Sequence, residues 1–131
     1  MATGTETVLV VEDETAVREL TARILSRAGF KVLVARDGAE ALIKFEKYPE
    51  EIHLLLTDVV MPQMSGNQLA ELLVKARPGL RVLYMSGYTD NALEHQNLLD
   101  AGSRFIGKPF TSLELTHKVR DLLDNGPSSS A

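Results

Sequence analysis

Apolar residues along the chain come in two textures. Five short, nearly unbroken runs recur at regular intervals: Val8–Val11, Val32–Ala35, Leu54–Leu56, Val82–Met85 and Phe105-Ile106. Continuous rather than alternating apolar runs suit strands buried on both faces, as in a parallel sheet. A run this short also fits a piece of buried helix, so the regular spacing decides between the two. Between the runs the apolar residues fall at helical intervals. Val17, Leu20, Thr21, Ile24, Leu25 and Ala28 share one stripe, and Gly29 supplies the stop. Asp37 is placed to cap a second helix, with Glu40 three residues on and Ala41, Leu42 and Phe45 inward. A third carries Leu69, Leu72, Leu73 and Ala76 and ends at Pro78-Gly79. A fourth is expected around 91–101, where Asn91, His95, Gln96 and Asn97 interrupt the apolar face and make it the least firmly packed. The last opens with Thr111 and Glu114 at capping-box spacing and buries Leu115, Val119 and Leu122.

The order is strand then helix, five times over. That pattern predicts an α/β fold: a three-layer sandwich of five parallel strands with five helices on both faces. The domain is expected over 7–124, with a flexible N-terminus at 1–6 and a flexible tail or linker at 125–131. Ligands in such sheets bind outside the carboxyl ends of the strands. Function is therefore sought just after each apolar run.

Composition narrows the classes. A chain of 131 residues is expected to be one domain. Lys plus Arg is 14 and Asp plus Glu is 18, a formal charge of −4, which argues against nucleic acid as a partner. There is no cysteine, so disulfides, thiolate metal sites and cysteine nucleophiles are excluded. No apolar run approaches the ~20 residues of a membrane span, and no basic-then-apolar leader opens the chain. The expectation is a cytoplasmic domain with no direct membrane contact.

Four strand ends deliver chemistry to one rim. The first is followed by Glu12-Asp13-Glu14, the third ends in Thr57-Asp58, the fourth in Ser86-Gly87 and the fifth in Gly107-Lys108-Pro109. Taken singly, each has a plainer role: a helix cap, a turn residue, a capping hydroxyl, a surface lysine. Together Glu12, Asp13, Asp58, Ser86 and Lys108 are three carboxylates, a hydroxyl and an ammonium. Two unit charges ~4 Å apart interact by about 4 kcal/mol at an effective dielectric of 20, so the carboxylates need a retained proton, Lys108 or a cation. Hard oxygen ligands favour Mg2+. Asp58 is then placed as a nucleophile forming an aspartyl phosphate, with Ser86, Lys108 and the backbone N–H groups of Val59 and Gly87 binding phosphoryl oxygens. His53, His95 and His117 are widely spaced and read as structural or solvated, and Met61 and Met64 as packing.

The motifs V-L-V-V-E-D-E (8–14), T-D-V-V-M-P-Q-M-S-G (57–66), M-S-G-Y (85–88) and G-K-P-F (107–110) resemble the receiver domain of two-component response regulators. The likeness runs from about Val8 to Asp124. The phrase V-L-Y-M-S-G-Y-T-D with G-K-P-F looks most like receivers attached to hybrid sensor histidine kinases, while the short flanks fit an excised module or a single-domain regulator equally.

The resemblance implies a flavodoxin-like sheet of order 2-1-3-4-5. It makes Asp58 the phosphoacceptor and Mg2+ the cofactor, ligated by Asp13, Glu12, Asp58 and the Val60 backbone carbonyl. It further implies Ser86 and Phe105 as switch residues, Lys108 paired with the phosphoryl group, and a cis bond between Lys108 and Pro109. Its implied partners are a sensor histidine kinase or histidine phosphotransfer protein. The fourth helix, fifth strand and last helix would form the switching face, with phosphorylation-dependent dimerisation as a further option. Several positions depart from common forms. The first acid is Glu12, the switch aromatic is Phe105 without a hydroxyl, and Val60 and Tyr88 offer nothing to position a hydrolytic water, so slow-to-moderate self-dephosphorylation is expected.

Three other functions compete. A Mg2+-dependent aspartyl-phosphate phosphatase needs a second acid where Val60 stands and room for a cap domain. A flavin binder needs a hydroxyl- or glycine-rich loop where Glu12-Asp13-Glu14 stands. A pseudo-receiver that binds partners without phosphorylation would not need the complete acid, serine and lysine set.

Overall fold

A computed structural model describes residues 2–48, 51–87 and 105–125. The strands are β1 (Thr7–Val11), β2 (Lys31–Ala35), β3 (Ile52–Asp58), β4 (Arg81–Gly87) and β5 (Phe105–Lys108). The helices are α1 (Thr15–Arg27), α2 (Gly38–Lys47), α3 (Gly66–Ala76) and α4 (Ser112–Asn125). The helix expected over 91–101 lies outside the described residues, as do His95, Tyr88 and the tail beyond Asn125. Every apolar run found in the sequence is a strand.

All neighbouring strands are parallel, in the order β2-β1-β3-β4-β5. Successive side chains of a strand point to opposite faces, so each central run fills two cores. Val8, Val10, Leu54 and Leu56 pack beneath α1 and α4 with Leu25, Leu115 and Val119. Leu9, Val11 and Leu55 pack on the other side with Ala41 and Phe45 of α2 and Leu69 and Leu73 of α3. Three layers result. The uninterrupted apolar pattern holds best in β1, where Val8 to Val11 have no exposure at all. At the sheet edge, Val32, Leu33 and Val34 of β2 are only half-buried.

Helix ends follow the local chemistry. The Glu40 amide donates to Asp37 Oδ1 at 2.9 Å, the expected cap of α2. Thr111 and Glu114 exchange side-chain and backbone bonds of 2.8 and 3.0 Å at the start of α4. Ser65 and Gln68 form a second capping box on α3, with bonds of 2.9 and 3.2 Å. Gly29 ends the α1 turn at φ 100°, the left-handed region that glycine enters without penalty.

One expectation needs correction. Leu20 and Leu72, assigned to inward stripes, are 49% and 46% exposed. At 100° per residue each lies about a quarter turn from the centre of its stripe, which Thr21, Leu25 and Ala28 define in α1 and Leu69, Ala70 and Leu73 in α3. The segment before β1 is joined to the rest of the domain by several bonds. The Gly4 amide donates to the Ala28 carbonyl at 3.1 Å, the Lys31 amide to Glu6 O at 2.9 Å, and Arg120 Nη1 to Thr3 O at 3.0 Å. Among the described residues no helix is long and apolar enough to cross a membrane.

Candidate functional site

The parallel sheet puts the carboxyl ends of β1, β3, β4 and β5 on one rim, and the chemistry converges there. Glu12 directly follows β1 and is fully buried. Its amide donates to Ala35 O at 3.1 Å, and its Oε2 accepts from the Glu14 amide at 3.1 Å. The three residues Glu12-Asp13-Glu14 therefore do not cap α1 in the ordinary way: Glu14 is the N-cap residue and makes no side-chain cap bond. Asp58 ends β3 and is 6% exposed. Lys108 ends β5, and the Lys108-Pro109 bond that follows it is cis, as the resemblance implied. Its Nζ lies 3.1 Å from Glu12 Oε1 and 3.3 Å from Asp58 Oδ1.

Asp13 joins from the exposed side. One carboxylate oxygen each of Glu12, Asp13 and Asp58 lies within 4.8 Å of the others. Burial pushes the Glu12 carboxyl above its usual range, against the Glu14 amide and Lys108, which pull it down. Burial works against the Lys108 ammonium too, but Asp58 and then Glu12 outweigh it, and its pKa rises. Two of the three carboxylates, Glu12 and Asp58, thus share the Lys108 ammonium.

The donor set fits a small hard cation. Mg2+ takes oxygen ligands at about 2.0–2.1 Å, so opposite ligands of one octahedron lie ~4.2 Å apart. The three carboxylate oxygens, within 4.8 Å of one another, lie close to that spacing.

Ser86 is 2% exposed at the end of β4. The β4–β5 register sets Ser86 beside Gly107 and Gly87 beside Lys108, so hydroxyl and ammonium belong to one corner. Phe105 is half-buried at the start of β5, opposite Tyr84. The acid loop, the turn that follows Asp58, carries Val60, which is 48% exposed.

One expected donor is already committed elsewhere. The Val59 amide donates to Met85 O at 3.1 Å, which extends the β3–β4 ladder by one residue. Val59 is therefore withdrawn as a phosphate-binding group.

Two contributors escaped the sequence reading. Gly66 lies so close under the acid loop that a Cβ there would meet the Asp58 carbonyl oxygen at 2.1 Å, while its amide donates to Val59 O at 2.8 Å. An S-x-x-Q capping signal at Ser65 could have drawn attention to that turn. Arg18 reaches back from α1 to the Glu12 carbonyl at 2.8 Å. No sequence signal announces that bond.

Met61 is buried in the core beneath α2 and α3, and Met64 packs against that core, as expected. His53 Nδ1 accepts from the Thr7 amide at 3.0 Å, where the β1–β3 register shifts, and His117 is exposed on α4.

Comparison with known proteins agrees with this arrangement. The profile of the response regulator receiver domain matches residues 8–120. The chain belongs to the response regulator receiver domain family. It is 38% identical over 121 residues to the sensor kinase CckA of Brucella abortus, covering 92% of this chain but 13% of that kinase. The receiver domain of the hybrid histidine kinase CckA superposes with a TM-score of 0.74 at 32% identity, over 89% of this chain and 98% of that one. A CheY-like receiver from Methanospirillum hungatei gives a TM-score of 0.80 at 31% identity, over 98% of this chain and all of that one (100%). The chain spans about half the length of several other curated relatives. It is a receiver domain of two-component systems, and receiver modules of hybrid kinases are among the proteins it resembles.

Proposed function

We propose that this receiver is a Mg2+-dependent phosphoacceptor and that Asp58 takes the phosphoryl group. The supporting observation is Lys108 Nζ held between Glu12 and Asp58 at 3.1 and 3.3 Å, with three carboxylates around one spot. An Asp58 oxygen attacks the phosphorus of a phosphohistidine. The P–N bond breaks, and the imidazole nitrogen leaves with the electron pair and picks up a proton. Lys108 and the Ser86 hydroxyl bind the transferred oxygens, aided by the Gly87 amide. Glu12, Asp13, Asp58 and the Val60 carbonyl are the groups that would hold Mg2+. Bound there, it would neutralise charge developing on the phosphoryl oxygens.

The donor is a sensor histidine kinase or histidine phosphotransfer protein. Leu20, exposed on α1, the helix that follows the Glu12-Asp13-Glu14 loop, offers an apolar contact for it. Phosphorylation draws Ser86 toward the new group, and Phe105 turns inward behind it. The switch then reaches the face built on β5 and α4, where Leu113 is 55% exposed.

The test is intact mass after incubation with acetyl phosphate and Mg2+. One phosphoryl group is expected on the wild type and none on Asp58→Asn or in the absence of metal. An adduct that survives in Asp58→Asn places the acceptor elsewhere. If the wild type gains nothing and also fails to bind beryllofluoride with Mg2+, the pocket is no phosphoacceptor.

A further inference from the structure

Two of the three clustered carboxylates, Glu12 and Asp13, sit on the loop between β1 and α1. The Glu12 amide is tied to Ala35 O at 3.1 Å, and the Glu14 amide to the Glu12 side chain at 3.1 Å. Asp13 lies between these pinned residues and is itself exposed. A helix N-cap side chain would normally close such a loop, but Glu14 makes no cap bond. Arg18 supplies the missing closure. Its Nη1 donates to the Glu12 carbonyl at 2.8 Å and its Nη2 to Thr15 Oγ1 at 3.4 Å, while its own amide donates to Glu14 O at 2.9 Å. One side chain thus spans the loop from the first helical turn back to the strand end.

We propose that Arg18 is a positioning residue that fixes the β1–α1 loop so that Asp13 can join Glu12 and Asp58 around a single divalent cation. This rests on the Mg2+ reading above. Electrostatics alone gives the opposite sign. A fixed guanidinium near the cation repels it, so a role through charge means that removing Arg18 tightens Mg2+ binding. A role through geometry means that removing it weakens binding, as losing an outer-shell partner of a metal ligand does.

The experiment is Mg2+ titration by calorimetry on the full chain: wild type, Arg18→Ala, Arg18→Lys and Asp13→Asn. Thermal unfolding without Mg2+ runs alongside. Arg18→Ala is expected to weaken Mg2+ binding about tenfold. Arg18→Lys recovers part of that loss, because a single ammonium donor can still reach the Glu12 carbonyl. The metal-free unfolding midpoints of Arg18→Ala and Arg18→Lys stay close to each other. Unchanged or tighter Mg2+ binding in Arg18→Ala overturns the proposal. So does a loss in Arg18→Ala that follows its unfolding midpoint with no recovery in Arg18→Lys. If the wild type binds no Mg2+, the metal reading fails and this one with it. If the wild type binds, Asp13→Asn loses binding and Arg18→Ala does not, only the role of Arg18 fails.

Discussion

Glu6 and Glu12 bracket β1, one just before it and one just after, about 20 Å apart by strand rise. Each meets a base from the C-terminal part of the chain, and each base holds a second acid. Glu6 pairs with Arg120, which also holds Asp124, and Glu12 pairs with Lys108, which also holds Asp58. The charge pattern is the same, yet the two carboxyls move in opposite directions. The Arg120 side chain holds Glu6 well below its usual range, at about 2. Burial pushes Glu12 up despite Lys108.

Water and geometry make the difference. Glu6 and Arg120 are each about a quarter exposed, and the guanidinium fork meets both carboxylate oxygens. Glu12 has no exposure, shares a single ammonium with Asp58 and lies beside Asp13. One end of the strand carries a settled pair that ties chain segments together. The other is left short of positive charge, and a divalent cation would remove that shortfall.

Taking the base away should separate the two ends most sharply. Lys108→Met takes the ammonium away from the buried Glu12 and Asp58 carboxylates and is expected to cost about 3 kcal/mol without metal. Urea denaturation at neutral pH measures it. Mg2+ should then raise the urea midpoint of the variant more than that of the wild type, because the ion restores the missing positive charge. If Mg2+ shifts both midpoints equally, the charge shortfall is not what distinguishes this rim. Phosphoryl uptake from acetyl phosphate should also be lost.

A gentler perturbation moves the acid loop and leaves every charge in place. In Gly66→Ala the new Cβ faces the Asp58 carbonyl oxygen at 2.1 Å, a backbone atom that no rotamer can clear. The loop must shift, at an expected cost of about 2 kcal/mol. Phosphoryl uptake should slow even at temperatures where the variant is folded. Equal uptake rates in folded Gly66→Ala and wild type would mean that the loop has room to spare.

These two sites mark how much could be read in advance. The strands were legible because both-face burial leaves unbroken apolar runs, and Asp37, Thr111 and Glu114 because a cap acts within three residues of itself. Glu12, Asp13, Asp58, Ser86 and Lys108 were legible because a parallel sheet sends all its carboxyl ends to one rim. Leu20 and Leu72 misled because a helical stripe has margins that periodicity does not locate. Arg18 and Gly66 were illegible because their roles depend on where a neighbouring backbone passes. Val59 was misassigned for the same reason, since only the structure shows its amide continuing the ladder to Met85. Glu6 and Arg120 are separated by 114 residues, and no local pattern joins them.

That last pair gives the smallest expected effect and the cleanest sign. The Glu6 carboxyl titrates at about 2 when folded, against an ordinary 4.5. A depressed folded value contributes stability that is fully present above 4.5 and disappears as the pH falls toward 2. Arg120 stays charged throughout, so only the carboxylate titrates. Both partners are open to solvent, and screening keeps the ionic contribution to under about 1 kcal/mol. Glu6→Gln should therefore be slightly less stable than wild type from neutral pH down to about pH 5. The gap should close as the pH is lowered further, because the protonated Glu6 carboxyl and the amide that replaces it are then equivalent neutral partners. Urea midpoints of both proteins at pH 7 and pH 3 measure it, with salt expected to shrink the gap at pH 7. A gap that persists unchanged at low pH would mean that Glu6 acts through its neutral hydrogen bonds, and the contrast between the two ends of β1 would then rest on Glu12 alone.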